Sequence, residues 1–348
     1  MPHRNIPIFI PHLGCPNQCV FCNQRSISGC REFEEREAAG QIEAALSTIP
    51  VGVDTEIAFF GGSFTGIDRD LMIRLLETAE RYVTAGRVQS IRLSTRPDYI
   101  SSEILGILAR YTVRVIELGL QSMDDAVLRA CQRGHTAEQA EYACRAVVDA
   151  GFGLVGQMMI GLPGADAASE IYTAERIVAL GAEAARIYPT VVFYHTPLCE
   201  MTQRGDYTPL TVNEAVLRSA SVLRVFEEAR VPCIRIGLCA TEELISPEAV
   251  LAGPNHPALG ELVWNEYYYR EIVALLHRKS LLGKDVILTA PKAEISKLVG
   301  QKRCNINRLL RETDTRVKKI VGEENRNGIA VTPWQASVSK QEEKQPCI

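Results

Sequence analysis

The sequence predicts an α/β fold: a partial (β/α)6 barrel of the TIM type, followed by a small α+β module. Three observations lead there. Between Ile6 and about Phe193, short apolar runs alternate with amphipathic stretches, a rhythm that parallel strands require because each return needs a helical crossover. Such crossovers are right-handed almost without exception, so a series of them curls one way into a barrel or part of one. After about residue 284 the order changes to strand, helix, helix, strand within a strongly basic stretch.

Strands are expected at 6–10, 56–62, 90–95, 113–121, 154–162 and 185–193, and helices near 33–49, 68–83, 101–111, 124–150 and 168–180. Asp68 and Ser101 can cap exposed first-turn amides, and Gly151 and Gly181 stand where a helix should stop. Thr211-Val-Asn-Glu214 has the spacing of a capping box and opens a helix to about Arg230. A strand-like run at 232–238, a Gly/Pro/His loop at 252–261 and an aromatic-rich helix to about Lys279 then finish or plug the barrel mouth. The last elements are a strand at 285–291, helices at 293–300 and 305–313, and a strand at 315–321. The expected domains are a core barrel over 1–210, an extension completing it over 211–283, a basic module over 284–334 and a polar, disordered tail over 335–348.

At 46% hydrophobic and 23% charged, the composition is that of an ordinary globular protein. No stretch approaches the ~20 apolar residues of a membrane span, and the N-terminus has neither an h-region nor a cleavage site. A cytoplasmic protein without membrane contact is expected. The net charge of −4 argues against a uniformly basic surface for nucleic acid. It leaves a local one open: residues 292–320 hold nine Lys/Arg against three acids.

The chemistry is concentrated after the first strand, where Cys15, Cys19 and Cys22 stand in a C-x3-C-x2-C run. Three thiolates so spaced can turn inward from one tight loop, which suits a cubane [4Fe–4S] cluster held by cysteine. Three ligands leave one iron open, as a catalytic cluster needs. The alternatives are a Cys3His zinc site completed by His12, and inert core thiols. A disulfide framework is disfavoured with 11 cysteines and no secretion signal. Cys233 and Cys239 flank an apolar run and could ligate an auxiliary cluster, but buried free cysteine more often acts as a small hydrophobe. A reduced cluster with an open iron can bind and cleave S-adenosylmethionine. One β/α unit later, Gly61-Gly62-Ser63 ends the second strand, where glycines let backbone approach a ligand.

Longer blocks carry a resemblance. STRPDYI (94–100), ELGLQS (117–122), RGHT (133–136), DAGF (149–152), MMIGLP (158–163), RIYPTVVFYHTPLCE (186–200) and GDYTPL (205–210) resemble radical-SAM enzymes, and in particular the radical-SAM half of the Elongator catalytic subunit family, which modifies the tRNA wobble uridine. LGLQS and GLPG are also similar to the oxygen-independent coproporphyrinogen oxidase family. The resemblance implies that Cys15, Cys19 and Cys22 hold the cluster, with Phe9 packed near it. It implies that Gly61, Gly62 and Ser63 meet the methionyl amine, that Gln121 and Gln157 contact the ribose region, and that Arg133 pairs the methionyl carboxylate. Ser94 stands where relatives often carry a glutamate, and its hydroxyl can still bond ribose. The bland readings are that the glutamines satisfy strand-end backbone and that Arg133 is a helix C-terminal cation. Tyr188 and Tyr194 line the substrate cavity or pack in the core.

No acetyl-CoA fingerprint follows Leu210, so carboxymethylation by the Elongator route is not expected. Residues 285–321 instead resemble a KH module, in which a GxxG loop clamps a nucleic-acid backbone. Here the loop is Gly300-Gln301-Lys302-Arg303, with arginine at the second glycine, and Gly300, Lys302 and Arg303 are the expected RNA contacts. The function expected is a radical-SAM enzyme that modifies RNA, above all tRNA, and draws electrons from a donor such as flavodoxin or ferredoxin. The alternatives are a radical-SAM enzyme on a small molecule such as a tetrapyrrole, and a non-catalytic, metal-supported RNA-binding protein.

Overall fold

The computed structural model describes residues 3–10, 13–15, 19–23, 33–238 and 248–335. His12, Cys239 and the tail beyond Gln335 lie outside the described residues. The chain forms two compact units, Met1–Gly260 and Glu261–Ile348.

The first unit is built on a seven-stranded parallel sheet, ordered β1-β2-β3-β4-β5-β6-β8. Its strands are β1 (His3–Phe9), β2 (Asp54–Phe60), β3 (Ser90–Thr95), β4 (Val113–Gln121), β5 (Gly153–Ile160) and β6 (Ala184–Pro189). β7 (Val192–Phe193) leaves the sheet, and β8 (Cys233–Ile236) joins it beside β6. Each strand pairs with the next in sequence up to β6, giving the curled half-barrel of the expected type, with β8 as a seventh strand. Pro7 is tolerated because β1 is an edge strand.

The two faces of the sheet differ because side chains alternate along each strand. Ile6, Ile8, Ile57, Phe59, Ile91, Leu93, Ile116 and Leu118 are buried residues of one parity. The other parity carries polar groups brought level by the register: Ser94 is opposite Glu117, Gly119 opposite Gln157, and Gln157 opposite Arg186. There Arg186 Nε donates to Glu117 at 2.8 Å and Nη1 to the Tyr188 hydroxyl at 3.3 Å.

Helix starts follow their sequence signals. Asp68 accepts from the Leu71 amide, Ser101 accepts from Ile104, and Thr211 with Glu214 forms a reciprocal capping box. The stretch expected as one helix over 124–150 is two, Asp125–Ala130 and Ala137–Asp149. Gln132 and Gly134 take positive φ between them, and Thr136 caps the second helix with its own box. The strand expected over 185–193 also splits: Pro189 ends β6, and β7 pairs antiparallel with β9 (Val250–Ala252).

The second unit has a three-stranded sheet in which β10 (Asp285–Pro291) runs parallel to β11 (Arg316–Glu323) and antiparallel to β12 (Ala330–Pro333). The expected strand–helix–helix–strand order is present, with helices Ile295–Val299 and Cys304–Thr313. The domain boundary differs from the expected residue 283. Most of the helix Leu259–Arg278 lies in this unit, because Tyr268, Ile272 and Leu276 pack with Val286, Leu288, Leu298, Leu309 and Val331 in one core. Each such fully buried side chain contributes roughly 1.5–3 kcal/mol.

Candidate active site at the C-terminal edge of the sheet

The loops that leave β1, β2, β3 and β4 meet at one edge of the sheet, and glycine decides how closely. Gly14 has φ +72°, and a Cβ there would collide with the Ser63 carbonyl and the Gly66 backbone. A Cβ on Gly62 would strike the carbonyls of Leu13 and Ile10, and the Ser63 amide donates to the Leu13 carbonyl at 3.0 Å. The glycines expected to approach a ligand therefore also bring backbone against backbone beneath the cysteine loop. Behind them runs a hydroxyl chain, in which Thr95 Oγ1 is 2.8 Å from Ser63 Oγ and 2.7 Å from Thr65 Oγ1. The buried Ser63 thus spends its side chain inside the protein.

Among the cysteines, Cys19 is buried and Cys15 and Cys22 are half-buried; none of the three is in a disulfide. The Cys22 amide closes a turn on the Cys19 carbonyl at 2.9 Å, and the Val20 amide donates to the Cys131 carbonyl at 3.1 Å. Two guanidiniums reach the Cys19 sulfur: Arg133 Nη1 at 3.3 Å and Arg96 Nη1 at 3.9 Å. Burial pushes the Cys15 thiol up, while Arg133 and Arg96 oppose the shift. Arg133 Nη2 donates to the Gly119 carbonyl at 2.5 Å, and its buried Nε has no hydrogen-bond partner among the described residues. A Cβ on Gly119 would press on Arg133 Nη2 and Gln121 Nε2, each 2.9 Å away.

Arg96, Asp98 and His135 were not singled out from sequence, although STRPDYI and RGHT contain them. Arg96 Nε and Nη2 clasp Asp98 at 2.9 and 2.8 Å, and Nη2 also donates to the Arg133 carbonyl at 2.5 Å. His135 is buried, neither ring nitrogen makes a side-chain hydrogen bond among the described residues, and the nearer is 3.9 Å from Asp98. Burial, with Arg133 and Arg96 nearby, pushes its pKa down to about 3 and holds the ring neutral. A cationic residue one position beyond a strand end, followed two residues later by an acid, was the available signal.

The other expected residues are distributed around this centre. Gln121 ends β4 in a left-handed conformation, φ 67°, and its Oε1 lies 3.5 Å from Gln157 Nε2 on β5. Ser94 is half-buried one strand away. Phe9 packs on Phe60 with ring centroids 6.3 Å apart, and Arg186 lies over the same Phe60 ring at 5.6 Å. Tyr188 belongs to the Glu117–Arg186 network, where burial raises its pKa to about 12. Tyr194 packs against the apolar cluster that contains Cys19, Cys131 and Cys199.

In the second unit, Gly300, Lys302 and Arg303 form a tight left-handed turn with φ 74°, 50° and 61°. The buried Asn305 amide braces it by donating to the carbonyls of Asn265 and Leu298 at 2.9 and 3.1 Å.

Comparison with known proteins identifies the first unit and the start of the second. Residues 9–177 match the family described as the Radical SAM superfamily, and residues 182–269 match the Radical_SAM C-terminal domain. The chain belongs to the radical SAM superfamily.

Several relatives of this radical-SAM chain are known. An uncharacterised protein of Methanocaldococcus jannaschii is 28% identical over 268 residues, covering 72% of this chain and 78% of its own. The tRNA uridine(34) acetyltransferase of the same organism is 30% identical over 146 residues, 41% of this chain and 26% of its own. Elongator complex protein 3 of Schizosaccharomyces pombe is 29% identical over 268 residues, 64% of this chain and 47% of its own. The chain thus spans about a quarter to about half of the latter two. In fold it is similar to Elp3 of the archaeon Methanocaldococcus infernus with an N-terminal deletion, at TM-score 0.59 and 19% identity, covering 81% of this chain and 66% of that one.

Membership of the family implies S-adenosylmethionine and a [4Fe–4S] cluster. Among the described residues no three His, Cys, Asp or Glu side chains gather at a single metal-ion position. A cubane does not require that, since it distributes its thiolates over separate irons. The donor set fits such a group: three cysteines outside any disulfide in one loop, two arginines at one sulfur, and a buried Arg133 Nε with no hydrogen-bond partner among the described residues.

Proposed function

We propose that this protein holds a [4Fe–4S] cluster on Cys15, Cys19 and Cys22, binds S-adenosylmethionine beside it, and uses the resulting radical chemistry to modify RNA, specifically tRNA, in the cytoplasm. The observation that carries the chemical half is the convergence of Arg133 and Arg96 on Cys19 at the C-terminal edge of the sheet. Held by Cys15, Cys19 and Cys22, a reduced cluster would supply the electron for cleavage of bound S-adenosylmethionine to methionine and a 5′-deoxyadenosyl radical. Every other task falls to the chain. Arg133, with its free Nε, pairs the methionyl carboxylate. Gln121, Gln157 and Ser94 orient the ribose from three neighbouring strands. The loop Gly61-Gly62-Ser63 presents backbone to the methionyl amine. The electron comes from a donor of the flavodoxin or ferredoxin class.

Support for RNA is independent of the sheet. The second unit has the strand–helix–helix–strand order of a KH module, and its Gly300–Arg303 turn presents two cations that make no ion pair among the described residues. Relatives named as tRNA uridine(34) acetyltransferases match part of this chain, which supports a wobble-uridine substrate. The test has two arms. Anaerobically reconstituted protein with dithionite should release 5′-deoxyadenosine from S-adenosylmethionine, and nucleosides from deletion and wild-type cells should differ by mass spectrometry. No 5′-deoxyadenosine sinks the chemistry; an unchanged nucleoside profile sinks the substrate.

A further inference from the structure

Arg96 is placed differently from an ordinary ion-paired arginine. Its side chain is 3% exposed, so its charge is weakly screened. Two of its nitrogens satisfy Asp98, one of these also holds the Arg133 carbonyl, and the third is left facing the Cys19 sulfur at 3.9 Å. Arg133 alone provides a guanidinium for the methionyl carboxylate assigned above. A second one at the same sulfur exceeds what that task needs. Its counter-charge sits on the far side: Asp98 has 20% of its side chain exposed and bonds the fork away from Nη1.

We propose that Arg96 is a positioning residue for the iron–sulfur centre, one that carries a charge braced by Asp98 to the Cys19 thiolate and thereby sets the reduction potential of the cluster. This rests on the cluster assignment made above. Positive charge and N–H donors beside a cluster sulfur favour the more negative, reduced form, so they raise the potential. The same arginine fixes the backbone of Arg133, which couples cluster tuning to cofactor binding through one side chain.

The experiment uses the full-length protein, reconstituted anaerobically with iron and sulfide and titrated with dithionite and redox mediators. The midpoint of the one-electron couple is read by electron paramagnetic resonance. Arg96→Met removes the charge, Arg96→Lys keeps it without the fork, and Asp98→Asn keeps Arg96 while removing its counter-charge. At a fixed potential the reduced-to-oxidised ratio should fall at least tenfold in Arg96→Met, a shift of about 59 mV. It should rise in Asp98→Asn, and Arg96→Lys should fall between wild type and Arg96→Met. A merely structural role would move the Met and Asn variants the same way, or change iron content alone, and either result overturns the proposal. So does an unchanged midpoint in both. If Arg96→Met assembles no cluster, Asp98→Asn decides: an upward shift supports the proposal, and no shift or a downward one overturns it. Iron and sulfide assay of the unsubstituted protein separates the two levels. A protein without a cluster overturns the proposed function and this inference together, whereas a cluster indifferent to both substitutions overturns only the inference.

Discussion

Each residue around Cys19 has a separable task, and three predictions follow at this scale. Replacing Cys15, Cys19 or Cys22 by alanine should abolish cluster assembly, because each thiolate is assigned a different iron; full iron occupancy in any variant would refute the ligand set. Arg133→Ala should weaken S-adenosylmethionine binding by on the order of 1.5–3 kcal/mol, the range for a hydrogen bond to a charged group. Equilibrium dialysis would show it, and unchanged affinity would mean another residue takes the carboxylate. His135 gives a pH prediction for the unloaded protein. Its folded pKa is depressed from 6.5 to about 3, so between these values the unfolded chain binds more protons than the folded one. Stability from this group is therefore fully present above about pH 6.5 and is lost as pH falls toward 3. The urea midpoint of wild type should fall relative to that of His135→Gln as pH drops through that window. Parallel curves would show that the ring titrates normally. The cysteine spacing and the resemblance blocks singled out Cys15, Cys19, Cys22 and Arg133, and the structure brings Arg133 to the Cys19 sulfur. Arg96 was not, because its role depends on three loops meeting, and nothing local to STRPDYI reports where Cys19 lies.

Whole elements were legible where period and caps agreed. β3, β4 and β10 have the expected bounds, since each is a short apolar run closed by Pro, Gly or a capping residue. The continuous helix expected over 124–150 failed because its apolar spacing persists through the Gln132–His135 turn, which left-handed backbone interrupts. β9 and β12 were missed; each is a short strand that exists only through its partner. Glycine at loop contacts makes a paired prediction. Gly14→Ala should cost about 1–3 kcal/mol through strained backbone and should displace the cysteine loop, lowering iron retention. Gly106→Ala, in helix Ser102–Leu108 with nothing within 4 Å of the added methyl, should stabilise by roughly 0.5–1 kcal/mol. Thermal unfolding and bound iron measure both; equal effects at the two sites would remove the close-approach argument.

For the whole molecule, the division at Gly260 changes how the second unit should be probed. A cut near Gly283 would strip β10 and the short helices from Ile272 and Leu276 and leave their apolar faces in water. The cleaner probe is Lys302→Glu with Arg303→Glu in the full chain. Affinity for tRNA should drop, and the slope of log affinity against log salt should shrink by about 0.7–0.9 per lost phosphate contact. Equal affinity at matched ionic strength would reduce the unit to a packing module. That slope has a further consequence, drawn from the ion pairs of the unit. Of its basic residues, Lys292, Arg308, Arg311, Arg316 and Lys318 each have a carboxylate of the same unit within 4.0 Å. Five of the nine basic residues in 292–320 are thus paired within the unit. RNA docked on this unit as proposed would meet only the remaining cations, so its complex should be short-lived and its salt slope shallow, and discrimination among RNAs would have to come from outside this unit.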